Sequence, residues 1–173
     1  VLNYRMEKRA AKLVLLAIIG LALSACSSAS TPSTTTTTLP SVASSTAAIK
    51  HAYGVLFDLA DPALSPKLAV IQDGSALSSA MKTALSSNLA KAAGGASVSA
   101  VTIEHGSACK NEFLPSPCAK VTYDILSPKK TVLLPDSGGL AIYEKAKWVV
   151  AKVTICTLLE LEAGGTVPPG CSG

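Results

Sequence analysis

Beyond Arg9 this 173-residue chain contains no arginine. Arginine supplies the planar fork that grips phosphate and carboxylate, so its absence argues against nucleic acid or a polyanion as the main partner. After Cys26 the chain carries 11 lysines against 10 acidic residues, scattered along it, for a net charge of +1. No C-x₂-C pair, no glycine-rich phosphate loop and no G-x-S-x-G elbow occurs, so zinc, nucleotide and serine-hydrolase chemistry lose their usual signatures. Aromatic residues make up only 4% of the chain. The longest apolar run, Leu13 to Leu23, is interrupted by no charge. As a helix at 1.5 Å per residue it would reach only about 16 Å, too short for the roughly 30 Å hydrocarbon core.

That run is preceded by Arg5, Lys8, Arg9 and Lys12, which together read as the basic and apolar regions of a signal peptide over 1–25, with Met6 the expected start. Val1 to Arg5 then read as upstream sequence, or Val1 as a misread alternative start. Leu23-Ser24-Ala25-Cys26 follows directly. A branched apolar residue, two small residues and a cysteine resemble the bacterial lipobox. The resemblance implies that the Cys26 thiol takes diacylglycerol and becomes the first residue of the mature protein. The competing expectation is an ordinary secretory signal with an incidental cysteine. Two acyl chains suffice for stable anchoring where one does not. The predicted address is the extracytoplasmic face of the cell membrane.

Residues 26–46 are, apart from Cys26, Leu39 and Val42, all Ser, Thr, Ala and Pro, with no charge, a composition predicted to form a disordered tether. The Thr34 to Thr38 run reads either as a site for O-linked sugar or as plain spacer.

Organised pattern is expected from 47 to 173. Ile49, Ala52, Tyr53, Leu56, Phe57 and Ala60 recur at helical spacing, with an end at Asp61-Pro62. A short helix is predicted through Lys67, Leu68 and Ile71. A longer one, capped by Ser75, runs to Gly94-Gly95. The period then falls to two. Strands are predicted at Val98 to Glu104 and Ala119 to Ile125, a hairpin at Thr131 to Leu134 and Leu140 to Tyr143 around Asp136-Ser137-Gly138-Gly139, and a long last strand at Trp148 to Leu159 after a turn at Lys145-Ala146. Helices followed by a strand meander predict an α+β fold, N-terminal helices packed on one face of a curved antiparallel sheet.

With Cys26 assigned to lipid, Cys109, Cys118, Cys156 and Cys171 remain. An even number in an exported chain predicts two disulfides with three connectivities open. Local closure favours Cys109–Cys118 across the loop CKNEFLPSPC and Cys156–Cys171 across the tail.

Candidate chemistry is sparse. His105 lies between Glu104 and Ser107, but strand neighbours point to opposite faces, so a solvated strand end is the plainer reading. His51 falls off the first helix's apolar stripe. Asp58 and Asp61 suit either an acid pair or helix-end and turn roles. Tyr53, Tyr123, Tyr143 and Trp148 suit either a pocket lining or core packing. No metal or cofactor is expected.

The stretches LFDLADPALSPKLAVIQDGSALSSAMKTAL and YEKAKWVVAKVTICTLL resemble the low-molecular-weight secreted antigen and lipoprotein family of mycobacteria and related actinobacteria. Asp61, Pro62, Lys67, Trp148, Val150 and Cys156 carry the likeness over about residues 47 to 160, and Lys145-Ala146-Lys147 replaces the family's usual glycine turn. The resemblance implies an exported envelope protein. By fold analogy alone it also implies a cone like that of nuclear transport factor 2, which hosts binding proteins as well as small cyclases and isomerases. The expected function is a membrane-anchored lipoprotein with a non-enzymatic domain that binds a small apolar ligand or an envelope protein. The alternatives are a cone-pocket enzyme using Asp or Tyr, and a structural envelope protein.

Overall fold

A computed structural model describes residues 39–172; the predicted signal peptide, Cys26 and most of the predicted tether lie outside the described residues. The fold is α+β, as expected. Helices α1 (Val42–Leu56), α2 (Leu64–Ala69), α3 (Ser78–Leu85) and α4 (Asn88–Ala92) precede strand β1 (Gly95–Glu104). After it come α5 (Ser107–Asn111), β2 (Cys118–Leu126), β3 (Val132–Glu144), β4 (Lys147–Val150) and α6 (Lys152–Glu162). The four strands form one antiparallel meander in the order β1-β2-β3-β4.

Helix α1 begins ahead of the predicted boundary at residue 47, so Val42 to Thr46 belong to the domain and not to the tether. Ser41 caps it, its hydroxyl accepting from the Ser44 N–H at 3.2 Å. Ser45 is buried on the same stripe as Ile49, Ala52, Tyr53 and Leu56. Packing has recruited a segment whose composition reads as spacer. The helix also stops earlier than expected, at Leu56. Asp61 opens the next element instead of closing this one, because its carboxylate accepts from the Ala63 N–H at 2.8 Å. The predicted helix from Ser75 to Gly94 is broken into a 3₁₀ turn (Gly74–Leu77), α3 and α4, and no side-chain hydrogen bond caps the 3₁₀ turn.

Two further expectations fail. The Asp136-Ser137-Gly138-Gly139 stretch does not reverse the chain; β3 runs through it as one strand. Tyr123 pairs with Ser137 and Ile125 with Leu134, so Pro135 and Asp136 bulge opposite Asp124. The Asp136 N–H donates to the Asp124 carboxylate at 2.8 Å, which satisfies the donor that the bulge frees. Gly139 is needed for close approach: a Cβ there would overlap the Tyr53 hydroxyl and press on the Tyr123 ring. The second failure is the long last strand. It ends at Val150, and Trp148 to Leu159 is split between β4 and α6, which places Cys156 on a helix. Ala151, Thr154, Ile155, Leu158, Leu159 and Glu162 fall at helical spacing, a pattern masked by β-branched neighbours. Gly164 and Gly165, at φ 66° and 89°, end the helix. The turn expected at Lys145-Ala146 is present, with both residues at positive φ, as a two-residue hairpin requires.

The sheet's two faces are unequal. Ala119, Val121, Tyr123 and Ile125 of β2, with Ala141, Trp148 and Val150, meet α1, α3 and α6 in the main core. The opposite face carries a small core of Cys109, Cys118, Ile142, Val149 and Ala151, covered by the loop that contains α5. Disulfides join Cys109 to Cys118 and Cys156 to Cys171, the favoured connectivity. The free edge of β4 is closed by Val70 to Gln72: the Val150 N–H donates to Val70 O at 2.8 Å and the Gln72 N–H to Val150 O at 2.9 Å.

Candidate functional site

Between the helices and the end of β2 lies an apolar cavity of about 100 Å³. Leu56 and Phe57 at the end of α1, Met81 on α3, Ile125 on β2 and Ile155 on α6 wall it. Glu162, in the last turn of α6, is its one titratable lining residue. A second space of about 410 Å³ lies between α3 and the C-terminal tail, walled by Ser79, Thr83 and Ser87 on one side and Thr166 to Pro169 on the other. The two share Ala84, Leu159 and Glu162. Glu162 therefore borders both the apolar cavity and the wider, hydroxyl-bearing groove.

The groove's outer wall depends on covalent and steric fixing of a tail with no regular structure. Cys171 is bonded to Cys156 on α6, and its N–H donates to Pro168 O at 3.1 Å. Gly170, at φ 87°, lies so close to the Ala76 carbonyl that no side chain fits there.

Glu162 is half-buried. Its Oε1 is buried and has no hydrogen-bond partner among the described residues. It lies at the negative end of the α6 dipole, where no basic residue occupies the last turn. A negative charge at a helix C-terminus costs about 0.3–1 kcal/mol. Stability alone does not favour this residue here. The β-branched composition of the segment points to a strand and hides this residue; on the helical pattern from Ala151 it falls on the apolar stripe, where a carboxylate stands out.

The residues singled out from the sequence are dispersed. His105 is exposed beyond β1, beside a 40 Å³ crevice where the described chain begins, and Ser107 is exposed at the start of α5. Glu104 turns instead to Lys120, at 3.4 Å, which also meets Glu112 at 3.3 Å. These two acids, Glu112 foremost, hold the Lys120 ammonium above its ordinary pKa. His51 is exposed on α1. Asp58 contributes its backbone carbonyl, which accepts from the buried Lys67 ammonium at 2.6 Å, and its exposed side chain does not meet that of Asp61 in an acid pair.

The four aromatic residues singled out from the sequence pack in or against the core. Tyr53 and Tyr123 pack with ring centres 5.0 Å apart, and the Tyr53 hydroxyl donates to Leu140 O at 3.2 Å. Burial pushes the Tyr53 phenol far above its ordinary pKa and the Tyr123 phenol up to about 12. Tyr143 and Trp148 form a second pair at 5.5 Å. None of the four lines the apolar cavity.

Among the described residues, no group of three or more His, Cys, Asp or Glu side chains could hold a metal ion, and no helix is long and apolar enough to cross a membrane. Compared with models of known protein families, with curated proteins and with solved structures, the chain matches none.

Proposed function

We propose that this protein is a membrane-anchored lipoprotein, held by acyl chains on Cys26 at the extracytoplasmic face, whose α+β domain binds a small ligand and catalyses no reaction on it. The observation that carries the binding half is an apolar cavity and a larger groove that share one carboxylate in their walls. Small-molecule sites combine mostly apolar walls with few polar groups, at volumes of about 300–1,000 Å³, and the groove alone holds about 410 Å³. Acid–base catalysis of bond cleavage commonly sets a donor and an acceptor on opposite sides of the reacting bond. Glu162 has no titratable companion among the residues lining either space, which favours binding over the cone-pocket enzyme. The lipobox-like Leu23-Ser24-Ala25-Cys26 and the resemblance to secreted actinobacterial antigens support the anchored, exported half. The two disulfides suit an oxidising compartment.

Each half has its own test. Cells fed an alkyne fatty acid should label the wild-type protein and not Cys26→Ala; equal labelling of both would remove the anchor. Native mass spectrometry of protein from its own host should show a retained small molecule that a cavity-filling Ala84→Phe variant lacks. The same adduct on both would place the ligand elsewhere.

A further inference from the structure

We infer that the ligand is a small aliphatic amine: a short alkyl end fills the inner chamber, the ammonium pairs with Glu162, and any polar continuation lies in the groove beneath Thr166 to Pro169. This rests on the binding-site reading above and adds the chemical class.

Size limits the apolar end. A buried cavity of about 150 Å³ admits a benzene ring, and a water-sized group takes about 30 Å³. The chamber's 100 Å³ is too small for a ring and suits about three methylene-sized groups. Charge selects the head. Buried carboxylate oxygens in folded proteins are paired, and each exception calls for an explanation. Among the described residues Glu162 Oε1 has no hydrogen-bond partner, no Lys, Arg or His lines either space, and no basic residue lies in the last turn of α6. An ammonium on the ligand is the group that this carboxylate would pair with. Around the groove the hydroxyls of Ser79, Thr83, Ser87 and Thr166 supply neutral hydrogen-bonding groups, which suit a polar extension that carries no charge of its own.

The test is calorimetric titration of the full-length protein in lipid nanodiscs, with empty nanodiscs as the blank. Three probes share a four-carbon skeleton: n-butylammonium, n-butanol and n-butyrate, in which the fourth carbon is the carboxylate carbon. The ammonium should bind at least about tenfold tighter than the alcohol, which is about 1.4 kcal/mol, and butyrate weakest of all. Glu162→Gln should bring the ammonium down to the level of the alcohol while leaving the alcohol within about twofold. Butyrate binding as tightly as the ammonium would overturn the inference, and so would an ammonium preference that survives Glu162→Gln. Butanol binding without any ammonium preference would overturn the amine while sparing the cavity as a site. Silence from all three probes would overturn both. Should Glu162→Gln fail to fold, the wild-type ranking of ammonium against butyrate decides alone.

Discussion

The two faces of the sheet use the same covalent device to opposite ends. Their disulfides close loops of similar length, with sequence separations of 9 and 15. On loop entropy alone each is worth roughly 2.5–3 kcal/mol. On the outer face Cys109 and Cys118 are fully buried and form the centre of a five-residue core. That bridge is packing. On the helix face Cys156 and Cys171 are only half-buried, and their bond holds a tail that walls a groove. That bridge shapes a space. The comparison teaches that a crosslink's contribution depends on what its loop covers, more than on the length of chain it closes.

The largest effect should come from deleting the outer bridge. Cys109→Ala with Cys118→Ala should cost about 3–5 kcal/mol, since a void opens in the small core in addition to the lost constraint. Removing Cys156 and Cys171 should cost about 2–3 kcal/mol while weakening ligand binding. Urea unfolding of the two double variants ranks them, and an equal or larger loss for the second pair breaks the comparison.

Next in size, Gly139→Ala should destabilise by about 2 kcal/mol, because the added methyl meets the Tyr53 hydroxyl. A stability change under about 0.5 kcal/mol in the same assay would mean that the inner face yields more readily than its packing implies.

Alkaline pH should also act on the inner face. Unfolded tyrosines ionise near pH 10, whereas burial pushes Tyr123 up to about 12 and Tyr53 higher still. The folded state then keeps protons that the unfolded chain has lost, so stability falls as pH rises from about 10 to 12 and is unaffected by these groups below 10. Phenolate absorbance from two of the four tyrosines should appear only together with loss of circular dichroism. Its appearance near pH 10 in folded protein would contradict the burial.

The smallest effect carries the opposite sign. In the ligand-free protein, Glu162→Gln should raise stability by about 0.5–1 kcal/mol by removing an unpartnered charge from a helix C-terminus. Thermal unfolding measures it, and a loss of stability would mean that Glu162 has a structural partner.

Sequence alone determined the class and the order of the elements from α1 to β2, apart from α5. Period-three-to-four stripes placed α1 and α2, period-two alternation placed β1 and β2, and the cysteine count with local closure led to both disulfides. Local pattern suffices where one face of an element is buried and its neighbours in sequence share that environment. Tertiary structure decided the rest. Val42 to Thr46 are helical because Ser45 is buried against the domain, a contact that no spacer-like composition announces. Asp136 to Gly139 read as a turn, yet they bulge within β3, where Gly139 leaves room for Tyr53, a residue 86 positions away in sequence. The β-branched stretch after Val150 became α6 because β4 ends there: Thr154 Oγ1 accepts the Leu140 N–H at 2.8 Å and takes up the edge of β3. That change from strand to helix brought Glu162 to the cavity wall. The candidate site was illegible in the sequence because each of its parts is ordinary alone, and only packing sets the Glu162 carboxylate beside an apolar cavity.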